Sequence, residues 1–248
     1  MWVLGVAHFF VNRKYGMEEA DQLSDRALIA LIPVIALGFL ASLFHLGNPL
    51  NAYRAVANLG TSWLSREIFF GVIFAVLATV FAFLQWRKIG TFAFRTVVAW
   101  LAALTGLVLV YCMARVYMLP AQPAWNSWAT VVSFYTSAFL LGALAMGAAF
   151  VANYAYSRRK NAAQTETRLM LTRKSLRWIA LAAVILLGVE FVVLPLYLAS
   201  LATGPAETVQ TVQLTTGPYG WMLFLRLVLA FVGAGVFGVF LYQNALSV

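Results

Sequence analysis

Hydrophobic residues fall in seven long runs that are separated by short polar stretches. The runs cover residues 1–12, 27–46, 66–85, 96–119, 128–156, 178–201 and 220–242. Most of them have enough residues with few charges to cross a hydrocarbon layer of ~30 Å as one helix. The pattern predicts an all-α protein, a polytopic transmembrane helix bundle of about seven segments. We expect residues 1–248 to form a single integral membrane domain.

The first run is shorter than the others. As a helix, residues 1–12 reach only about 18 Å, which is less than a membrane span requires. We therefore expect this segment to be the second half of an incomplete first helix.

Composition agrees with a membrane protein. Of the 248 residues, 63% are hydrophobic and 10% are charged, and the mean hydropathy is +0.86. A soluble domain has roughly half apolar and a quarter charged residues. The remaining question is what the net charge of +9 means.

The basic residues are concentrated in alternate loops. Seven of the 17 lysines and arginines lie between Arg158 and Arg177, in the fifth loop. The first and third loops are also basic, and the fourth and sixth contain no lysine or arginine. By the positive-inside rule, the first, third and fifth loops are cytoplasmic, and the first helix starts outside. Nucleic-acid binding is therefore not expected, although membrane lipid is an expected contact.

The stretch from Phe44 to Glu67, which joins the second and third runs and includes their ends, contains the strongest candidate residues: His45, Arg54, Arg66 and Glu67. Charged side chains in membrane segments are costly, so they usually face a protein interior and serve a site. Glu67 could exchange protons, or it could be a helix-initiating acid paired with arginine. His45 could accept a hydrogen bond or a proton from a quinol hydroxyl, or it could be a satisfied polar group. The whole stretch could also be an interfacial loop.

Further polar residues lie close to the predicted outer ends of later helices. Arg115, Tyr117 and Arg226 could anchor Glu67, Glu190 or a quinone carbonyl, or the arginines could extend to the interface. Glu190 and Arg226 could equally form a structural ion pair.

Haem bound by two histidines is excluded by depth. The sequence has only His8 and His45, and these differ in depth by about 20 Å or more at the rise of a helix. Ligation by one histidine and a methionine stays open. Because Cys112 is the single cysteine and no carboxylate cluster accompanies it, we expect no metal in this protein.

Two motifs resemble the membrane anchor subunit of dimethyl sulfoxide reductase, the DmsC type. They are His45-Leu46-Gly47-Asn48-Pro49-Leu50-Asn51-Ala52-Tyr53-Arg54 and Trp63-Leu64-Ser65-Arg66-Glu67-Ile68. The similarity continues through residues 113–117, 123–128 and 219–226, so it covers nearly the whole sequence. Since that family has eight helices, we expect this protein to lack the eighth.

The resemblance implies a haem-free subunit of the bacterial inner membrane that acts in anaerobic respiration. Such a subunit has no catalytic centre for the terminal acceptor. It oxidises menaquinol and passes electrons to an iron–sulfur subunit, which supplies a molybdopterin catalytic subunit. In the family, the histidine and the glutamate of the two motifs belong to the quinol site, and here they are His45 and Glu67. We place Arg54, Arg66, Arg115 and Tyr117 around the same quinol.

Two other functions remain as alternatives at this point. One is a proton-coupled membrane transporter with its polar site at the outer face, and the other is a quinol oxidase that contains haem. A transporter needs a polar path to the cytoplasmic face, where the predicted segments are almost entirely apolar. The terminal acceptor of an anchored reductase would be chosen by the partner subunit.

Overall fold

A computed structural model describes residues 2–16, 31–44, 49–160, 165–236 and 238–239, and in these residues the fold is all-α. The helices are α1 (Trp2–Tyr15), α2 (Leu31–Phe44), a 3₁₀ helix (Pro49–Val56), α3 (Trp63–Arg87), α4 (Phe92–Tyr117), α5 (Trp128–Lys160), α6 (Thr165–Ala202), α7 (Ala206–Thr216) and α8 (Gly220–Ala230). A short π-helix, Phe231–Val236, continues from α8. The predicted fold class is confirmed.

Four helices in the described part of the protein are long and apolar enough to cross a membrane. These segments are Trp63–Arg87, Phe92–Tyr117, Trp128–Ala152 and Met170–Ala202. A fifth span exists if α7 and the α8 segment, which are bent by 68° relative to each other, count as one. The second predicted run contains a shorter apolar helix, Ile32–Phe44. The protein is therefore a multi-pass membrane protein.

Two of the connections differ from the sequence prediction. The polar stretch after α6 was expected to be a loop, but it contains the helix α7. Pro205 precedes this helix, Glu207 lies in its first turn, and the hydroxyl of Thr208 donates to the carbonyl of Leu201 at 2.8 Å. An acidic first turn stabilises a helix start, and local hydroxyl bonds satisfy nearby backbone carbonyls. The basic loop is also shorter than expected, because α5 extends to Lys160 and α6 begins at Thr165.

The described residues form two compact units. One consists of Met1–Cys112 with Ala145–Ser175, and the other of Met113–Leu144 with Leu176–Val248. In the first unit, the start of α3 is fixed by Ser62, whose hydroxyl accepts a hydrogen bond from the backbone N–H of Ser65 at 3.3 Å. Such an N-cap satisfies a backbone donor that the helix itself cannot pair.

A tight turn joins α3 to α4. Lys88 adopts the left-handed conformation with a φ of 54°, and Gly90 has a φ of 77°. A Cβ atom at Gly90 would lie 2.9 Å from the ring of Phe94, so glycine is required there for both conformation and space. The hydroxyl of Thr91 then accepts from the N–H of Phe94 and caps α4. The turn makes α3 and α4 an antiparallel pair.

Glycines mark where helices of the first unit approach closely. A Cβ atom at Gly106 of α4 would lie 3.2 Å from the Phe74 ring of α3. At Gly71 of α3 the nearest atoms belong to Leu109 at 3.7 Å and Phe39 at 3.9 Å. Small residues at such positions let helices pack in a membrane, where lipid removes the hydrophobic driving force for association.

In the second unit, the turn between α4 and α5 is bonded to α6. The hydroxyl of Tyr197 donates to the carbonyl of Ala124 at 2.6 Å. Tyr117, at the end of α4, lies against the rings of Trp125 and Phe134 with centroid distances of 5.8 Å and 5.4 Å. This part of the unit is thus ordered by aromatic packing and one partly buried hydrogen bond.

Candidate functional site

Glu67 lies one turn into α3, within a membrane-spanning segment. Its side chain is half-buried, and among the residues that the structure describes its carboxylate makes no hydrogen bond or ion pair. A carboxylate in this position costs free energy unless it exchanges a proton or meets a ligand. The position of Glu67 is therefore compatible with the predicted role in a functional site, and that role stays a prediction.

Arg66 is bonded to the backbone that precedes its own helix. Its Nε donates to the carbonyl of Leu59 at 2.8 Å, and its Nη2 donates to the carbonyl of Gly60 at 2.6 Å. The guanidinium also lies over the Trp63 ring, 4.3 Å from the centroid. The guanidinium thus bonds the loop through Nε and Nη2 and stacks on Trp63 of α3. Arg66 therefore holds the loop against α3.

Two residues of α4 lie near the start of α3. Tyr111 packs edge-on against Trp63 with a centroid distance of 5.7 Å. Its neighbour Cys112 is buried. The start of α3 thus lies next to the C-terminal part of α4. Tyr111 and Cys112 were not predicted as part of the site, because no sequence signal pairs residues on different helices.

The remaining candidates of the first motif are only partly described. Arg54 lies on the 3₁₀ helix, which contacts α3, and its exposed side chain donates from Nε to the Tyr53 hydroxyl at 3.1 Å. His45 lies outside the described residues, and so does the side chain of His8. The depth argument against a shared haem therefore stays a prediction.

Arg115 and Tyr117 belong to the second unit and lie at the C-terminal end of α4. Arg115 is half-buried, whereas Tyr117 is exposed and belongs to the aromatic group around Trp125. Their assignment to a quinol site stays a prediction.

A second polar group lies between α5, α6 and α8. Arg226 Nη2 is 3.8 Å from Glu190 Oε2, which is the ion pair that the sequence left open, and Ser137 Oγ donates to Glu190 Oε1 at 3.4 Å. The three side chains border a cavity of about 220 Å³ whose other walls are apolar. Ser137 was not identified from the sequence, since a lone serine on an apolar helix gives no signal.

Buried polar residues also lie at the other end of the α3–α4 pair. Gln85 is fully buried near the end of α3, and Arg95 is buried in the first turns of α4, where its Nη1 donates to the Gly90 carbonyl at 3.2 Å. The sequence had indicated that this end is almost entirely apolar. Within the described ranges, no group of three or more histidine, cysteine, aspartate or glutamate residues is placed to hold a metal ion.

The long apolar helices, with polar side chains gathered near the start of α3, define a multi-pass membrane protein. The family of the DMSO reductase anchor subunit (DmsC) matches residues 3–247. The protein belongs to this family.

Individual relatives match over shorter stretches. One component of the anaerobic dimethyl sulfoxide reductase of Escherichia coli is 32% identical over 127 residues, which are 51% of this protein and 44% of that relative. The corresponding component from Haemophilus influenzae is 31% identical over 117 residues, or 47% of this protein and 42% of that relative. A component of the sulfite dehydrogenase of Allochromatium vinosum is 50% identical over 66 residues, or 26% of this protein and 19% of that relative.

The matched stretches thus span less than half the length of the two reductase relatives. No solved structure matches the protein.

Proposed function

We propose that this protein is the membrane anchor of a molybdoenzyme reductase of the dimethyl sulfoxide reductase type, and that it binds and oxidises menaquinol at His45 and Glu67. The observation that carries the proposal is the Glu67 carboxylate, which is half-buried in a membrane span without a hydrogen-bond partner among the described residues. A quinol hydroxyl would donate a hydrogen bond to this carboxylate. Membership of the anchor-subunit family supports the same ligand.

The chemistry that we propose is the release of two electrons and two protons from each quinol, which leaves as quinone. His45 accepts a hydrogen bond from one hydroxyl, and Glu67 accepts the two protons one after the other and passes each outward. The electrons leave to an iron–sulfur cluster of a partner subunit, which supplies the redox centre that this protein is not expected to hold. The cluster must therefore dock within electron-transfer distance of the quinol.

Arg66 has a different part in this proposal. Because its guanidinium already donates to two loop carbonyls and stacks on Trp63, we assign it to holding the loop and not to contact with the quinol. Arg54 is exposed beside α3 and remains available for a polar group of the ligand. For Arg115 and Tyr117, the quinol role rests on the sequence resemblance alone.

Family membership supports proposals for the partners and the location. We propose an iron–sulfur electron-transfer subunit and a molybdopterin catalytic subunit as partners, in a bacterial inner membrane with the start of the first helix outside. The names of the relatives include both a reductase and a dehydrogenase. A dehydrogenase takes electrons from its substrate, so anchors of this kind are compatible with electron flow in either direction. The catalytic partner then selects the terminal substrate.

A proton-coupled transporter is the rival function, and Gln85 and Arg95 show that the other end of the α3–α4 pair also contains buried polar groups. The family match over nearly the whole sequence favours the anchor. A transporter would work without partner subunits, whereas the proposed anchor requires them.

Quinol binding is tested by titrating a fluorescent quinol-analogue inhibitor into membranes that contain the protein with its partners. Fluorescence quenching is compared for wild type, His45→Ala and Glu67→Gln. We expect affinity to fall by about tenfold or more in each variant, the effect of losing one hydrogen bond to a charged group. Glu207→Gln, which changes an exposed acid of α7, is the matched control and should bind as wild type. Undiminished binding in both site variants would place the quinol elsewhere.

A further inference from the structure

The residues that line the cavity between α5, α6 and α8 have no role in the proposed function. Its volume is about 220 Å³, and its walls are formed mainly by leucine, with Phe191 and Ala230. One side of the cavity is polar and contains the carboxylate of Glu190 and the guanidinium of Arg226. The hydroxyl of Ser137 donates a hydrogen bond to this carboxylate. Both charged residues come from apolar helices, where a charge usually serves a site.

The charges at this cavity restrict what it can bind. The opposite charges of Glu190 and Arg226 cancel, so an anionic lipid headgroup would gain attraction from the arginine and meet repulsion from the carboxylate. A neutral head that both donates and accepts hydrogen bonds satisfies the two side chains together. The long N···O separation of 3.8 Å and the 3.4 Å serine contact leave both partners able to exchange for a ligand.

The size and the walls restrict the ligand further. Ligand pockets for whole drug-sized molecules measure about 300–1,000 Å³, so this smaller space suits a head group whose tail lies outside it. The aromatic face of Phe191, which also contacts Phe231, can pack against a ring. The remaining leucine walls favour a lipid-soluble molecule.

We propose that this cavity is a second binding site for a quinol, with Arg226 donating to a ring oxygen and Glu190 accepting from a ring hydroxyl. The site lies within the second unit, and it involves none of the residues proposed to oxidise quinol. It shares with the proposed function only the class of ligand. Binding here needs no electron transfer, so the cavity can hold a quinol as a resident or waiting molecule.

The test is photolabelling of the intact complex in its membrane, under reducing conditions, with a naphthoquinol that carries a diazirine on its side chain. Labelled peptides are identified by mass spectrometry. We expect label on the parts of α6 and α8 that line the cavity, around residues 187–194 and 226–230. Ala230→Phe fills the cavity without changing a charge and should lower this labelling by about tenfold or more. Leu229→Phe adds the same ring at the exposed neighbouring position and should leave the labelling unchanged.

Two further variants separate this site from the one proposed for quinol oxidation. Glu190→Gln should weaken labelling at α6 and α8, since the carboxylate acceptor is lost, whereas Glu67→Gln should leave that labelling as in wild type. Absence of label at the cavity in wild type, or label that survives Ala230→Phe, would overturn the proposal. Failure of the proposed function would appear separately, as quinol oxidation that Glu67→Gln does not slow.

Discussion

Two adjacent residues at the start of α3 have different environments and therefore different proposed roles. Arg66 donates to the carbonyls of Leu59 and Gly60, whereas the Glu67 carboxylate has no such partner among the described residues. A guanidinium fork that binds two carbonyls and stacks on an aromatic ring is a rigid connection. The loop is thereby fixed against the start of α3, where Trp63 packs on Tyr111 of α4.

Removal of the Arg66 side chain should destabilise the first unit. Arg66→Ala loses two hydrogen bonds and one cation–π contact, and we expect a loss of about 1–2 kcal/mol in the free energy of unfolding. Arg66→Lys should recover only part of it, because an ammonium group cannot reproduce the fork. Thermal unfolding of the purified complex measures both. Arg54→Ala is the control, since that side chain is exposed and contacts its neighbour Tyr53. Equal stability of all variants would contradict the role of Arg66.

The location of Glu67 could be predicted from the sequence, because a charged residue that opens an apolar run marks a helix start. The contacts of Arg66 could not be predicted, since they depend on the path of the loop from Ala57 to Thr61. The ring contact between Trp63 and Tyr111 depends on the register between two helices, which hydrophobic runs do not specify.

At the scale of elements, α3 and α4 form an antiparallel pair whose separation is limited by Gly106 and Gly71. The residues around Glu67 come from both helices, so this separation also sets the geometry of the candidate site. The tight turn at Gly90 fixes the register of the pair at the opposite end.

Enlarging Gly106 should separate the two helices. Because a Cβ atom there would already lie 3.2 Å from Phe74, we expect Gly106→Val to destabilise the protein by about 1–3 kcal/mol and to weaken quinol-analogue binding. Gly142→Val is the matched control, since a Cβ atom at Gly142 meets nothing within 4 Å in the described residues. Unfolding temperature and inhibitor titration are measured on the same samples. The prediction fails if both glycine variants behave alike.

Long apolar runs identified α3, α4, α5 and the apolar part of α6, because length and composition decide whether a helix spans a membrane. The same reasoning missed α7, whose sequence is polar and which depends on local hydrogen bonds around Pro205 and Thr208. Hydrophobicity therefore predicts spans better than it predicts short polar helices between them.

For the whole molecule, the distribution of basic residues predicts which ends of the helices face the cytoplasm. The turn of residues 88–91 is predicted to be inside and the turn of residues 118–127 outside, with α4 between them. This orientation places the start of α3 at the outer face. The proposed proton release from Glu67 to the outside depends on it.

Orientation can be measured by labelling single cysteines in intact cells with a membrane-impermeant maleimide. In a Cys112→Ser background, Gln122→Cys should react from outside, and Ile89→Cys should react only after the membrane is opened. Both positions are exposed, so a difference reports sidedness and not burial. The reverse pattern would show that the predicted orientation is wrong.

The most direct test of the central claim compares two activities of the purified complex of this protein with its partners. Reduction of the terminal acceptor is driven either by a menaquinol analogue or by a soluble one-electron donor that supplies the catalytic partner directly. We predict that Glu67→Gln lowers the quinol-driven rate by about 10²-fold or more, the usual effect of losing an acid–base group. The rate with the soluble donor should stay at the wild-type value. An equal quinol-driven rate in wild type and Glu67→Gln would show that quinol is not oxidised at this site.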